Sequence, residues 1–308
     1  MRFSAQIPTD RVTKGAEFTS AAAIGEMARA LEAAGFDAGY VTEHPFPPDE
    51  WLASGGHHAL DPFVALAAAA SATSRLRLHT NILVLAYRNP FLTAKAVASL
   101  DVVSGGRLIV GIAAGYLEGE YRALGADFAG RNEAADDALV AMKRAWTGES
   151  VHYEGRGYRA AANTMLPAPI QRPHPPIWIG GNSRRALQRA AEHAQGWSPF
   201  PVAAAFGRRT RTAAIESVDD LAARIRELRA RAAAVGRLES LDVNFVPFGL
   251  GMGQKALPDA DAFCEQVAGL EAIGVTWLSV GIPCPTRAAY CENAARFGAE
   301  FIARLARR

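Results

Sequence analysis

Residues 76–112 read LRLHTNILVLAYRNPFLTAKAVASLDVVSGGRLIVGI. The first nine are a strand-like apolar run. A helix opens just after Pro90 and continues to about 104. Residues 108–112 are a second apolar run. Short apolar runs joined by a helix-length segment imply parallel strands with a crossover between them. Neither run alternates cleanly between apolar and polar, as expected of strands covered on both faces.

The same unit recurs to both ends of the chain. Strands are predicted over 3–7, 38–42, 76–84, 108–112, 177–179, 196–198, 241–248 and 275–280. Helices are predicted over 19–34, 61–73, 90–104, from about 118 and over 133–147, then over 183–193, 217–236, 259–273 and 286–305. The 19–34 helix carries Ile24, Met27, Ala28 and Leu31 at i, i+3, i+4 and i+7 and stops at Gly35. Ser217 and Asp220 resemble a capping box. Eight strand–helix units point to an α/β fold, a TIM (β/α)8 barrel in one domain over residues 1–308. An open, doubly wound sheet is the competing architecture. Two stretches interrupt the rhythm, near 148–175 and 199–216. The first holds a Gly-turned hairpin over 151–158 and then Pro167, Pro169, Pro173, Pro175 and Pro176; the second holds Arg208, Arg209 and Arg211.

Composition bounds the function. The 308 residues are 50% hydrophobic and 21% charged, with mean hydropathy +0.02 and formal net charge +2. Such a chain forms a large globular core, and its near balance of charge gives no reason to expect nucleic-acid binding. Its three cysteines, Cys264, Cys284 and Cys291, form no CxxC pair, which favours a reduced, cytoplasmic setting over a disulfide scaffold. The N-terminus lacks the apolar core of a signal peptide, and the longest apolar run, 63–70, is too short to span a bilayer, so no membrane partner is expected.

In a barrel of this kind, chemistry gathers at the C-terminal ends of the strands. Glu43 and His44 follow the second strand. His44 is the candidate for proton transfer, because an imidazole titrates near neutral pH; a packing or capping histidine is the other reading. Gly180-Gly181-Asn182-Ser183 follows the strand ending at Ile179. Its glycines permit close approach, and the helix N-terminus beyond favours an anion such as phosphate; an ordinary N-cap is the alternative. Residues 249–253, GLGMG, lack full dinucleotide-binding spacing. His57-His58 fits no metal motif, and no metal is expected. Of the five tryptophans, Trp51 is the one expected to reach a pocket.

Several runs carry a family resemblance: Thr80-Asn81-Ile82-Leu83-Val84, Arg88-Asn89-Pro90, Ala98-Ser99-Leu100-Asp101, Ser104-Gly105-Gly106-Arg107-Leu108, Arg172 to Ser183, and Gly196-Trp197. Together they resemble the luciferase-like monooxygenase superfamily, and within it the F420-dependent oxidoreductase branch. That resemblance implies a barrel binding the deazaflavin F420, or alternatively FMN, at its C-terminal mouth. It implies a non-prolyl cis peptide at Asn81–Ile82 whose bulge faces the cofactor ring. It places Glu43, His44, Asn81, Ile82, Gly115 and Tyr116 near the ring, and Ile179, Gly180, Gly181, Asn182 and Ser183 near the phosphate. Tyr116 stands where the sugar-phosphate dehydrogenase branch carries Glu, which argues for a less polar substrate. Arg184 and Arg185, with Arg208, Arg209 and Arg211, could supply a basic rim. The activity implied is hydride transfer between F420 and a small organic substrate, with His44 as acid or base. An FMN-dependent two-component monooxygenase and a catalytically silent flavin-binding protein are the alternatives. Relatives often form homodimers.

Overall fold

The computed structural model describes residues 1–204, 207, 212–237, 239–251 and 253–307. Arg208, Arg209 and Arg211, expected at the basic rim, lie outside them. Eight strands form a closed parallel barrel. They are β1 (Arg2–Gln6), β2 (Ala38–Val41), β3 (Arg77–Val84), β4 (Leu108–Ala113), β7 (Ile177–Gly180), β8 (Gly196–Ser198), β9 (Asp242–Phe245) and β10 (Trp277–Val280). A separate antiparallel pair, β5 (Val151–Glu154) and β6 (Arg159–Asn163), lies between β4 and β7. The closed order, in which β10 pairs with both β1 and β9, excludes the doubly wound sheet.

Helices alternate with the strands: α1 (Ala21–Ala33), α2 (Asp49–Ala53), α3 (Pro62–Ala72), α4 (Pro90–Val103), α5 (Glu118–Ala123), α6 (Arg131–Ala145), α7 (Arg184–His193), α8 (Val218–Ala234), α9 (Ala260–Ala272) and α10 (Arg287–Phe297). Seven of these ten start at a side chain that accepts the orphan amides of the first turn; α2, α5 and α6 do not. Asp61 caps α3 and Asn89 caps α4, each with proline at the first helical position. The Ser217–Asp220 capping box forms at α8.

One expectation needs correction, and one helix was not predicted. The hairpin runs to Asn163 rather than ending at 158, because residues 155–158 form its turn and Gly155 donates to the Tyr158 carbonyl. Helix α2, a single turn begun by Pro48, Asp49 and Glu50, is too short to show a period in sequence.

Two apolar bodies are present. The larger lies between the outer barrel face and the helices, from Phe3 and Leu31 to Phe263 and Phe301. The smaller, Ala38, Ile109, Trp178 and Trp277, is separate from it and fills the barrel. Beside it runs a polar network: Asn244 donates to the Ser198 hydroxyl at 2.8 Å and accepts from Ser279 at 3.0 Å. Arg107 ties α3 to the starts of β3 and β4 by donating to the carbonyls of Ala70, Thr73 and Leu76. Among the described residues, no helix is long and apolar enough to cross a membrane.

Candidate active site at the C-terminal mouth of the barrel

The chain leaving β2 turns outward at Glu43 and His44, and both side chains stay at the mouth. Glu43 is buried. One carboxylate oxygen accepts the Val84 amide at 2.7 Å, and the other pairs with the Arg88 guanidinium. Burial pushes the carboxyl upward, while Arg88 and the Val84 amide oppose it. For Arg88 the largest influence is burial, which lowers its pKa, but Glu43 more than offsets this and holds it charged. Glu43 therefore fixes the end of β3 and the loop to α4. Its polar atoms are engaged by the chain rather than open to a ring.

His44 is the more available group. Its Nδ1 lies 3.4 Å from Glu120 Oε2, an acid in the first turn of α5. The Glu120 side chain is only 2% exposed, and its Oε1 has no hydrogen-bond partner among the described residues. The His44 ring packs at 4.3 Å from Trp51, 4.9 Å from His57 and 6.4 Å from Tyr116. Burial, reinforced by His44, pulls the His57 pKa down, so that ring is neutral at physiological pH. Tyr116 is raised to about 12, mainly by burial and then by Glu120. A buried carboxylate behind an imidazole orients it: if Nδ1 carries the proton toward Glu120, Nε2 is left with a lone pair. Sequence reasoning missed Glu120, whose place in an acidic first turn looks like ordinary helix-dipole compensation.

The Asn81–Ile82 peptide is cis, as the resemblance implied. The β3–β4 register shifts between Thr80 and Leu83 around it. Across the mouth, the Ile82 side chain covers Gly180, where any Cβ would overlap it. Gly115 has φ +72°, and a Cβ there would meet Val84 Cγ1 at 2.6 Å. Gly180 and Gly115 are thus glycines because chain atoms occupy the space.

The β7–α7 turn is partly closed. The Gly181 amide donates to the Ser198 carbonyl at 3.3 Å, and the Asn182 amide donates to the Thr212 hydroxyl at 3.1 Å. The Asn182 side chain is fully buried: it donates to the Phe200 and Ala213 carbonyls, both at 2.9 Å, and accepts from the Phe200 amide at 3.1 Å. Asn182, expected to hold cofactor, instead anchors the segment that follows β8. Ser183 caps α7 through the Ala186 amide. Among the described residues, the amides of Ser183, Arg184 and Arg185 have no chain partner, and a Cβ at Gly181 (φ +102°) would meet Ala186 Cβ at 3.7 Å, an ordinary contact. A phosphate fits at this helix end with a donor set one or two residues later than expected. Arg185, expected at the rim, is held by Asp136 at 2.6 Å; Arg184 is exposed.

Two open cavities, about 650 and 500 Å³, lie at the opposite, N-terminal end of the barrel, and neither is lined by an expected site residue. Among the described residues, no group of three or more His, Cys, Asp or Glu could hold a metal ion.

Comparison with known proteins finds relatives in sequence and in fold. The family model of luciferase-like monooxygenases matches residues 1–250. An FMNH2-dependent dimethylsulfone monooxygenase of Pseudomonas putida is 31% identical over 177 residues, which cover 56% of this chain and only 45% of that protein. Two solved structures share the fold over 99% of both chains: a monooxygenase, RslO1, from Streptomyces bottropensis (TM-score 0.80, 20% identity), and a coenzyme F420-dependent tetrahydromethanopterin reductase from Methanopyrus kandleri (TM-score 0.73, 18% identity).

Proposed function

The chain belongs to the luciferase-like monooxygenase family, and from that premise we propose that it is an oxidoreductase that transfers hydride between F420 and a small, largely apolar organic substrate. The observation that carries this reading is the His44–Glu120 pair at the mouth. Moving hydride to or from an oxygen-bearing carbon requires a proton to arrive at or leave the oxygen, and an imidazole oriented by a buried carboxylate can hold or release it. The bound deazaflavin would supply the hydride chemistry itself. The Ser183, Arg184 and Arg185 amides would hold its phosphate, and the Asn81–Ile82 bulge with the Ile82 side chain would underlie its ring. The apolar substrate class rests on the mouth side chains. Phe46 is 68% exposed and Tyr116 43%, while Glu43 and Arg88 neutralise each other.

The match to an FMNH2-dependent relative favours a second reading, a reduced-flavin monooxygenase acting at the same barrel mouth. Titration with F420 and with FMN, followed by fluorescence quenching and melting temperature, separates the two. Saturable F420 binding with no FMN binding is expected; the reverse selects the monooxygenase. His44→Ala is expected to keep cofactor affinity and lose turnover by about 10²–10⁴-fold. Unchanged turnover would remove His44 from the chemistry.

A further inference from the structure

The smaller N-terminal cavity, about 500 Å³, lies at the end of the barrel remote from the mouth. Its wall includes Arg2, which opens β1, Arg77, which opens β3, and Arg75 just before β3. The acidic groups around it are already engaged. Glu32 accepts the amides of Ser74, Arg75 and Leu76 at 3.1, 2.6 and 2.7 Å. Asp37 accepts the Phe3 amide at 2.8 Å. Asp101 accepts the amides of Ile170 and Gln171 and the Gln171 side chain. Asp242 takes Arg2 Nη2 at 2.8 Å and the Thr276 hydroxyl at 2.9 Å.

The guanidinium groups are less well matched. Among the described residues, the Arg77 side chain makes one hydrogen bond, 3.4 Å to Gln171 Oε1. Arg75 is exposed and makes no side-chain hydrogen bond or ion pair among the described residues, only a longer-range attraction to Glu32. Arg2 uses one nitrogen on Asp242 and lies 4.6 Å over the Trp277 ring. The unbonded nitrogens of Arg77 are not sealed in the interior. Arg2, Arg75 and Arg77 line one space together with Glu32 and Asp37; Asp242 holds one Arg2 nitrogen, while Glu32 and Asp37 accept backbone amides, which leaves guanidinium N–H groups that match the oxygens of a tetrahedral anion.

We propose that this cavity is an oxyanion site that takes a phosphate group between Arg2, Arg75 and Arg77. It is independent of the mouth, because it lies at the other end of the strands and shares no residue with it. Binding there would join the starts of β1 and β3 across β2, and so act on stability rather than on turnover.

The test titrates the full chain with inorganic phosphate by calorimetry and thermal melting, with sodium chloride at matched ionic strength as the control. A saturable rise in melting temperature with phosphate, and none with chloride, is expected. Arg77→Met should weaken binding about tenfold or more, and Arg75→Gln about threefold or more. Arg75 is exposed, so its variant keeps the test valid if the Arg77 variant fails to fold. Glycerol phosphate, run in parallel, separates the sources: tighter binding than inorganic phosphate points to a phosphate monoester, weaker binding to the free ion. Crystals soaked in arsenate should show an anomalous peak between the three arginines. Equal responses to phosphate and chloride, unchanged binding in the Arg75 variant, or an arsenate peak only beside Ser183 and Arg184 would overturn the proposal.

Discussion

His79 stands inside the barrel, fully buried, with no hydrogen-bond partner on either ring nitrogen among the described residues. Its ring meets Trp178 edge-on at 4.7 Å. Burial, then the nearby charge of Arg77, pulls its pKa from 6.5 to about 3. A histidine depressed in the folded state binds its proton more readily when unfolded. The stability it preserves is therefore complete above pH 6.5 and is lost as pH falls toward 3. At pH 4.5 the loss amounts to about 2–3 kcal/mol. Urea titrations at pH 7 and pH 4.5 should show His79→Leu losing less stability between the two than the parent does, by about that amount; equal losses would refute the account. Asn182 is a second residue whose role lies in packing. Asn182→Ala removes three side-chain hydrogen bonds from a buried site and should cost about 2–4 kcal/mol in the same titration at pH 7. The Gly180–Ser183 run was legible as a strand-to-helix turn with a capping residue. That its asparagine faces Phe200 and Ala213 was not, because those partners lie 18 and 31 residues further along the chain.

At the level of elements, β3 and β4 form the tightest seam beneath the mouth. The Thr80 hydroxyl donates to the Gly111 carbonyl at 3.0 Å and accepts from the Gly111 amide at 2.9 Å. A Cβ on Gly111 would overlap the Thr80 carbonyl oxygen and meet His79 Nε2 at 3.0 Å. Neither the backbone nor the enclosed ring can yield, so Gly111→Ala should cost more than about 3 kcal/mol. Gly269, exposed within α9, has nothing within 4 Å of the same position and no positive φ. Gly269→Ala should stabilise the protein by about 0.5–1 kcal/mol, since alanine loses less chain freedom in a helix. Melting temperatures of the two variants must move in opposite directions, and a shift of the same sign in both would sink the argument. Elements of this kind were readable from local pattern: Pro90, Gly35 and the Ser217–Asp220 pair each act within one turn. Glu120 was not readable, because its partner His44 comes from the loop after β2, 76 residues away.

Over the whole molecule, the count of strand–helix units pointed to a barrel while leaving an open sheet as the competitor, and closure depends on the last of them. The family match ends at residue 250, whereas β10 and α9 to α10 follow it. β10 is the strand that joins β9 to β1, with Trp277 opposite Arg2 and Leu278 opposite both Phe3 and Phe245. The first strand is also clasped by the final helices. Phe3 packs 5.9 Å from Phe297 and 6.4 Å from Phe263, and Phe263 meets Phe301 at 5.1 Å. A chain cut after residue 250 would expose the edges of β1 and β9 as unpaired strands and open this aromatic cluster to water. The full chain should unfold in one transition, seen together by far-ultraviolet circular dichroism and by tryptophan fluorescence. The 1–250 chain should show no cooperative melt and should associate through its open edges. A single sharp transition in the truncated chain, near the temperature of the parent, would mean that the first seven barrel strands hold their own core. The barrel would then not be the unit of stability.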